Sequence, residues 1–254
     1  MSSENRFGYE WGKYSELEEK YEDQFKNWVH PLTPDDFNGK KVLDAGCGMG
    51  RNSYWALKWG AGKLVGFDYD ERSVNAAKKN LGSFSEACIL FKSVYDLDWQ
   101  NEFDLAFSIG VIHHLKNPGL AIKKIFDSLK PGGRLLLWLY SYEGNEWIPK
   151  YVDPVRKNIT SKLPLALVHL LSYFFSIPLW LYLKAYRGRN KYFLQLKGFK
   201  YWHIHSIVFD QLIPDVANYW KREEVIKLFE GLPCKQININ RPPNECGWNV
   251  LVQK

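Results

Sequence analysis

Hydrophobic positions between residues 41 and 140 alternate between two patterns. Short aliphatic runs such as "KVLDA", "KLVGFD" and "ACILFK" are typical of buried strands, and the segments between them carry apolar residues at helical spacing. The runs "FDLAFSI" and "RLLLWLY" predict a fourth and a fifth strand, with a helix capped by Asn117 between them. This alternation predicts βαβ units and therefore a parallel sheet.

The last thirty residues depart from that pattern. The strand-like runs "KQININ" and "GWNVLVQK" are separated by only a short loop. A parallel crossover needs a dozen or more residues, so the final strand is expected to run antiparallel to its neighbour. We therefore predict an α/β fold with a doubly wound, seven-stranded sheet that is mostly parallel and ends in an antiparallel C-terminal hairpin.

Two further segments surround this predicted core. Leu17, Tyr21, Phe25 and Trp28 recur at helical spacing near the N-terminus, and no strand alternation is found between strands five and six. With 254 residues and 46% hydrophobic content, the chain can bury one large core, which favours a single domain. Its predicted parts are an N-terminal helical lid (1–35), a cofactor-binding core (36–140), a helical cap inserted between strands five and six (141–220), and a final helix with the hairpin (221–254).

Composition and charge exclude some kinds of site and some classes of protein. The four cysteines are too few and too scattered for a disulfide framework, and their spacing predicts no metal site. The polar beginning of the sequence resembles no signal peptide, so a cytoplasmic protein is expected. The net charge of +6 does not by itself distinguish nucleic acid from a membrane as an anionic partner.

The stretch "LDAGCGMG" carries the most specific chemistry. Gly46, Gly48 and Gly50 follow a strand and open a helix, which exposes backbone amides and the positive end of the helix dipole to a ligand. A dinucleotide site needs G-x-G-x-x-G, but Arg51 stands where the last glycine would be. Asp44 would also repel a phosphate by ~4 kcal/mol at about 4 Å and an effective dielectric constant of about 20. A cationic ligand without a phosphate fits better, and S-adenosylmethionine is such a ligand.

At this point the chain resembles the class I, Rossmann-like, S-adenosylmethionine-dependent methyltransferases. The segments "LVGFDYD", "KSVYDLDW", "FDLAFSIGVIHHLKNP" and "LKPGGRLLLWLY" resemble later motifs of that family, in order, between residues 41 and 140. The resemblance implies S-adenosylmethionine as the cofactor. The implied cofactor-binding residues are Asp44, Gly46, Cys47 and Gly48 in the first motif, Asp68 at the ribose hydroxyls, Tyr69 at the adenine face, Ser93 and Val94 in the third motif, and Ile109 at the end of strand four.

His113 and His114 are the candidate catalytic residues. They follow the fourth strand, at the edge where open α/β sheets place reacting groups, and histidine can take a proton near neutral pH. We expect His113 to act as the base or to orient the acceptor; the alternative is that one histidine is packed and the other solvated. The strand ends "SIGV" and lacks the Asn/Asp-Pro-Pro-aromatic signature of base methylases, which argues against nucleic acid as a partner. The expected reaction is methyl transfer to an oxygen or nitrogen of a small, partly hydrophobic molecule.

The segment 163–200 is compatible with more than one function. Pro164 and Pro178 interrupt the apolar run Leu163–Leu183, which favours a cap helix or an interfacial helix over a transmembrane one. Peripheral membrane contact through this segment would make the protein a lipid or quinone methyltransferase. The sequence is also compatible with an RNA methyltransferase that uses the basic residues 184–200, and with a non-catalytic S-adenosylmethionine-binding protein. The sequence does not decide the oligomeric state.

Overall fold

A seven-stranded sheet forms the centre of the computed structural model, which describes Leu17 and residues 19–254. Residues 1–16 and 18, and with them the first half of the predicted lid, lie outside the described residues. The strands follow the order β3-β2-β1-β4-β5-β7-β6. Their bounds are β1 Lys41–Ala45, β2 Lys63–Asp68, β3 Ala87–Phe91, β4 Phe103–Ile109, β5 Leu129–Leu139, β6 Gln236–Asn240 and β7 Trp248–Gln253.

The pairing of the strands confirms the predicted topology. β1 pairs in parallel with β2 on one side and with β4 on the other, and β3 and β5 extend the parallel sheet. β7 runs antiparallel to both β5 and β6. From β1 the chain continues to β2 on one side of the sheet, and from the adjacent β4 it continues to β5 on the other side. Open α/β sheets bind their ligands in the crevice between two such strands.

Helices cover both faces of the sheet and build the insertion. In the described residues their bounds are α1 Tyr21–Val29, α2 Pro34–Phe37, α3 Arg51–Lys58, α4 Glu71–Asn80, α5 Pro118–Asp127, α6 Asp153–Asn158, α7 Leu165–Ala185, α8 Lys191–Lys197, α9 Tyr201–Leu212 and α10 Arg222–Lys227. The predicted cap of α5 is present, because the Asn117 side chain accepts a hydrogen bond from the Leu120 amide.

Alternate residues of the strands bury against opposite helical layers. Val42 belongs to the core under helices α1 to α4, whereas its neighbour Leu43 belongs to the core under α5 and α10. Phe25 of α1 and Ile122 of α5 are fully buried in these two cores. Helices therefore exclude water from both faces of the sheet, as expected of strands whose sequences are continuous apolar runs.

Helix α7 differs from the sequence prediction. The pattern predicts a helix end at Ile177, before Pro178, but α7 continues to Ala185 with Pro178 inside it. Packing against α9 holds the helix on one side: the Ser176 hydroxyl lies 2.8 Å from Nδ1 of His205. Tertiary contacts thus outweigh the loss of one backbone hydrogen bond at proline. By length and composition α7 could cross a membrane, and only 17% of its most apolar stretch is buried.

Candidate active site

The glycine turn after β1 is fastened to β2. The amides of Gly46 and Cys47 both donate to the carbonyl oxygen of Phe67 at 2.9 Å, and the Gly48 amide donates to Oδ2 of Asp68 at 2.9 Å. Gly46 has φ +85°, and a Cβ atom there would lie 2.4 Å from a methyl carbon of Val111. The turn therefore requires glycine at this position for both its backbone conformation and its close approach to the loop after β4.

Asp68 stands at the carboxyl end of β2 and faces the space above the sheet. Its Oδ1 accepts a hydrogen bond from the Asp70 amide at 3.0 Å, and burial raises the pKa of its carboxyl group to about 6. Next to it, the ring of Tyr69 stacks on Phe91 with centroids 5.6 Å apart and 13° between the planes. Tyr69 is 43% exposed, so a flat aromatic face is presented beside the carboxylate.

Asp44 lies behind the glycine turn rather than in front of it. Its side chain is buried and accepts a hydrogen bond of 2.6 Å from the Ser53 hydroxyl. Burial, with a smaller contribution from nearby Asp68, raises the pKa of the Asp44 carboxyl to about 7. Burial and the same two carboxylates raise the pKa of the Cys47 thiol well above its usual value, so Cys47 is a packed side chain and not a thiolate.

A cavity of about 1200 Å³ opens above these groups and extends into the helical insertion. This volume exceeds that of a typical single-ligand pocket and is large enough for a cofactor and an acceptor. It does not contact Asp44 or His113. The predicted site residues that line it are Gly46, Cys47, Gly48, Asp68, Tyr69, Ser93, Val94, Ile109 and His114.

Gly110 is a cavity residue that the sequence pattern did not single out. It follows β4 with φ +79°, and a Cβ atom built on it would meet nothing within 4 Å. Since it lines the cavity, that open space belongs to the cavity. The signal that could have identified it is a glycine placed directly after a predicted buried strand.

The two histidines occupy different environments. His113 is fully buried, its ring stacks on Tyr140 with centroids 3.6 Å apart, and burial lowers its pKa well below the usual value. The His114 ring donates from Nδ1 to the carbonyl oxygen of Val216 at 2.9 Å, which leaves Nε2 as the proton-accepting nitrogen. Burial lowers the pKa of His114 to about 4. Both rings are therefore neutral near pH 7, and only His114 reaches the cavity.

A second polar group lines the half of the cavity formed by the insertion. Nε2 of Gln211 donates to the Tyr140 hydroxyl at 3.3 Å, and the Tyr219 hydroxyl donates to Oε1 of Gln211 at 3.2 Å. The carboxylate of Asp210 lines the same space, as does His203. The sequence pattern does not reveal this hydrogen-bonded group, because its members come from the residue after β5, from α9 and from the loop after α9.

The donor and acceptor set fits a positively charged nucleoside better than a phosphate. Two carboxylates lie at the glycine turn: Asp44 is buried behind it, and Asp68 is half-buried and lines the cavity together with Gly110. Negative charge at this turn would repel phosphate and attract a cation. In the described part of the chain, no three His, Cys, Asp or Glu side chains are grouped to hold a metal ion.

Known proteins share both the sequence core and the fold. A family profile described as a methyltransferase domain matches residues 36–165, just over half of the chain. A tRNA U34 carboxymethyltransferase of Klebsiella pneumoniae subsp. pneumoniae is 33% identical over 114 residues, which are 44% of this chain and 34% of that protein. The chain therefore spans about a third of the length of this curated relative.

Two solved structures have the same fold at low sequence identity. The first is the 1,6-didemethyltoxoflavin-N1-methyltransferase of Burkholderia thailandensis, solved with S-adenosylhomocysteine, with a TM-score of 0.56 and 16% identity over 92% of this chain and 79% of that one. The second is a complex of the Haloferax volcanii Trm112 methyltransferase activator with a methyltransferase, with a TM-score of 0.57 and 15% identity over 98% and 97% of the two chains.

These findings correct one expectation. The sequence lacks the base-methylase signature after β4, which predicts that nucleic acid is not a partner. That prediction is wrong, because relatives that match 44–49% of this chain are named for an action on tRNA. The missing signature concerns one way of methylating bases and says nothing about other positions of an RNA.

Proposed function

The chain belongs to the class I S-adenosylmethionine-dependent methyltransferases, and from this premise we propose that it methylates an oxygen or nitrogen of a partly hydrophobic acceptor. When bound, S-adenosylmethionine supplies an electrophilic methyl group. Methyl transfer needs mainly alignment of donor and acceptor, so the protein's task is to hold both in one water-excluding space. The observation that carries the proposal is the continuous cavity that runs from the glycine turn into the insertion.

The cofactor end of this cavity is assigned to residues of the core. Asp68 has a carboxylate suited to the ribose hydroxyls, and the exposed ring face of Tyr69 is suited to the adenine. Val94 and Ile109 provide the apolar surface between them and the sheet edge. The turn at Gly48 supplies a bare backbone. These roles are proposals, and calorimetric binding of S-adenosylmethionine to substituted proteins tests them.

The acceptor end has the character of an amphiphile site. Val155, Phe175, Leu179 and Ile207 contribute apolar walls from helices α6, α7 and α9, and the Tyr140–Gln211–Tyr219 group contributes a few fixed polar atoms. Such a combination binds a molecule with an apolar body and orients its polar end. We propose His114 as the group that accepts a hydrogen bond or proton from the acceptor, since it has a neutral ring and reaches the cavity. The cytoplasmic location also remains a prediction.

The acceptor class is tested with methyl-labelled S-adenosylmethionine. The purified protein is incubated with an organic-solvent extract of cells in detergent micelles, and in parallel with total tRNA. We expect label in the organic phase. Binding of S-adenosylmethionine by calorimetry without label in either fraction would contradict enzymatic turnover on these acceptors and favour a binding protein.

RNA is the second candidate acceptor, and a specific observation favours it. The relatives named tRNA U34 carboxymethyltransferase match 44–49% of this chain at 31–33% identity. Label recovered in tRNA and not in the organic phase would establish RNA as the acceptor. Binding of tRNA would then fall steeply with salt concentration, because contacts to phosphates release counterions.

Asp44 gives a prediction about pH. Its pKa of about 7 in the ligand-free fold lies above the ordinary value of 3.8, so folding favours the protonated form and stability falls as pH rises from about 4 to 7. A cationic ligand favours the ionised form. We therefore expect the affinity for S-adenosylmethionine to rise between pH 5 and pH 7.5, with proton release, as measured by calorimetry in buffers of different ionisation enthalpy.

The variant Asp44→Asn separates the effect of pH on stability from the effect of pH on cofactor affinity. The neutral side chain keeps the hydrogen bond to Ser53, so the ligand-free variant should melt at a higher temperature than the wild type at pH 7.5 and at a similar temperature at pH 4. Its affinity for S-adenosylmethionine should be roughly 10-fold lower and depend less on pH. Asp35→Asn, at an exposed carboxylate that does not line the cavity, is the control and should change neither quantity. A lower melting temperature for Asp44→Asn at pH 7.5 would refute the argument.

A further inference from the structure

One face of helix α7 is apolar and exposed along its whole length. Leu167, Leu170, Phe174, Ile177 and Leu181 recur every three or four residues and therefore lie on one side of the helix. Their exposed fractions range from 41% at Leu167 to 74% at Phe174. We call this set the outer face of α7. The helix is about 30 Å long at about 1.5 Å per residue. Its outer face is therefore a continuous apolar patch, unlike the single exposed apolar residues that are common on protein surfaces.

The opposite face of α7 is held against the protein. Val168, Ser172 and Ser176 are fully buried, and Ser176 makes hydrogen bonds with both Tyr201 and His205 of α9. A transmembrane position would break these contacts. The helix therefore lies along the surface of the insertion, with its outer face exposed to solvent.

The chain segment that contains the outer face carries basic residues and no acidic ones. No Asp or Glu occurs between Pro154 and Phe209. At one end of α7 stands Lys162, and at the other stand Lys184, Arg187 and Arg189, all of them exposed. The basic residues of this acid-free segment are Arg156, Lys157, Lys162, Lys184, Arg187, Arg189, Lys191, Lys197 and Lys200. An apolar stripe flanked by cations matches the acyl and headgroup layers of an anionic bilayer.

The mouth of the cavity opens beside this face. Trp147, Tyr151, Val155 and Phe175 line the cavity and are nevertheless 47–61% exposed, so they form its rim. Phe175 directly follows Phe174 of the outer face. A molecule leaving a membrane under α7 would therefore meet the aromatic rim of the cavity first.

We propose that the outer face of α7 binds the surface of an anionic phospholipid membrane, with the helix in the membrane plane, and that the acceptor enters the cavity from the bilayer. The second part rests on the proposed function, and the first does not. A dimer through the outer face is disfavoured, because either orientation of two copies brings cations against cations. RNA would contact the cations but leave the aliphatic face in water.

Vesicle flotation tests membrane binding. The wild type should float with phosphatidylcholine vesicles that contain about 30% phosphatidylglycerol, and much less with pure phosphatidylcholine. Phe174→Ser/Ile177→Ser should weaken binding at least about 10-fold. The matched control is Leu120→Ser/Ile226→Ser, which removes two exposed apolar side chains from other helices and should bind like the wild type. Arg187→Gln/Arg189→Gln should lose the preference for anionic vesicles.

Several results would overturn the proposal. These are no flotation of the wild type, equal loss in the control, or a dimer that the Phe174→Ser/Ile177→Ser variant dissociates in the ultracentrifuge. Loss of tRNA binding with unchanged flotation in the Arg187→Gln/Arg189→Gln variant would likewise assign the cations to RNA. Unchanged calorimetric affinity for S-adenosylmethionine verifies that each variant is folded.

The two proposals fail separately. Activity on a detergent-dispersed acceptor does not require a bilayer, so the outer-face variant should keep it while losing activity on vesicle-borne acceptor. Flotation without any labelled organic product would overturn the acceptor assignment but leave the membrane surface standing. Labelled organic product without flotation would overturn membrane binding but leave the acceptor assignment standing.

Discussion

Gly110→Leu is expected to lower the affinity for S-adenosylmethionine by at least about 100-fold, close to complete loss in calorimetry. Gly110 borders the cavity at the end of β4, and a Cβ atom there points into space that no described atom occupies within 4 Å. A leucine side chain would fill part of the volume reserved for the cofactor. The positive φ adds backbone strain of about 1–2 kcal/mol, which lowers stability without touching the ligand.

Gly132→Leu is the matched control for this variant. Gly132 has φ +80°, and a Cβ atom there also meets nothing within 4 Å, but it lies in the exposed N-terminal part of β5 and outside the cavity. The two variants should lose similar thermal stability, whereas only Gly110→Leu should lose cofactor binding. Similar affinities for the two proteins would show that the cofactor does not occupy the space above Gly110.

The sheet and the glycine turn could be predicted because their signals are local. Buried strands read as apolar runs, and the short link between β6 and β7 excludes a crossover. Asp44 and Asp68 lie at the ends of two adjacent strands, so their positions at one sheet edge follow from the topology. The fold prediction is confirmed, and S-adenosylmethionine as the cofactor is confirmed by the family to which the chain belongs.

The insertion 141–220 is predicted to form the acceptor side, but the arrangement of its side chains could not be predicted, because it depends on contacts between distant segments. The sequence pattern places His113 toward the substrate, but its ring is covered by Tyr140, and its carbonyl oxygen accepts a hydrogen bond of 2.8 Å from the Asn218 amide. The loop after α9 thus closes over the loop after β4. Nothing in the spacing of His113 and His114 reveals which of them that closure buries. Their catalytic roles remain predictions, and the geometry favours His114.

Helix α7 illustrates a different limit. Sequence rules place a helix end before Pro178 because proline removes a backbone donor and clashes with the preceding turn. The contacts of Ser176 with α9 hold the helix next to that position. The length of the apolar helix, and with it the extent of its exposed face, therefore depends on tertiary packing that no local pattern encodes.

Asp68→Ala is expected to weaken binding of S-adenosylmethionine by about 100-fold. Hydrogen bonds to a charged group contribute about 1.5–3 kcal/mol each, and the variant removes the carboxylate proposed to accept from the ribose hydroxyls. It also removes the acceptor that fixes the Gly48 amide at 2.9 Å, so the turn loses part of its preorganisation. Because burial raises the pKa of Asp68 to about 6, the wild type should lose part of this interaction below that pH, whereas the variant should not.

Asp96→Ala serves as the control, since it removes an exposed carboxylate that follows β3 and does not line the cavity. Titration calorimetry of the three proteins at pH 7.5 and pH 5 gives six affinities. The fall in affinity from pH 7.5 to pH 5 should be larger for the wild type and Asp96→Ala than for Asp68→Ala, which keeps only the contribution of Asp44. Melting temperatures of the ligand-free proteins show whether Asp68→Ala changes stability as well as binding. The variant loses two backbone hydrogen bonds, but it also loses a carboxylate that is costly to ionise, and the two effects on stability offset each other. If Asp68→Ala binds S-adenosylmethionine as tightly as Asp96→Ala, the carboxyl end of β2 is not the ribose site and the orientation of the cofactor in the cavity must be reversed.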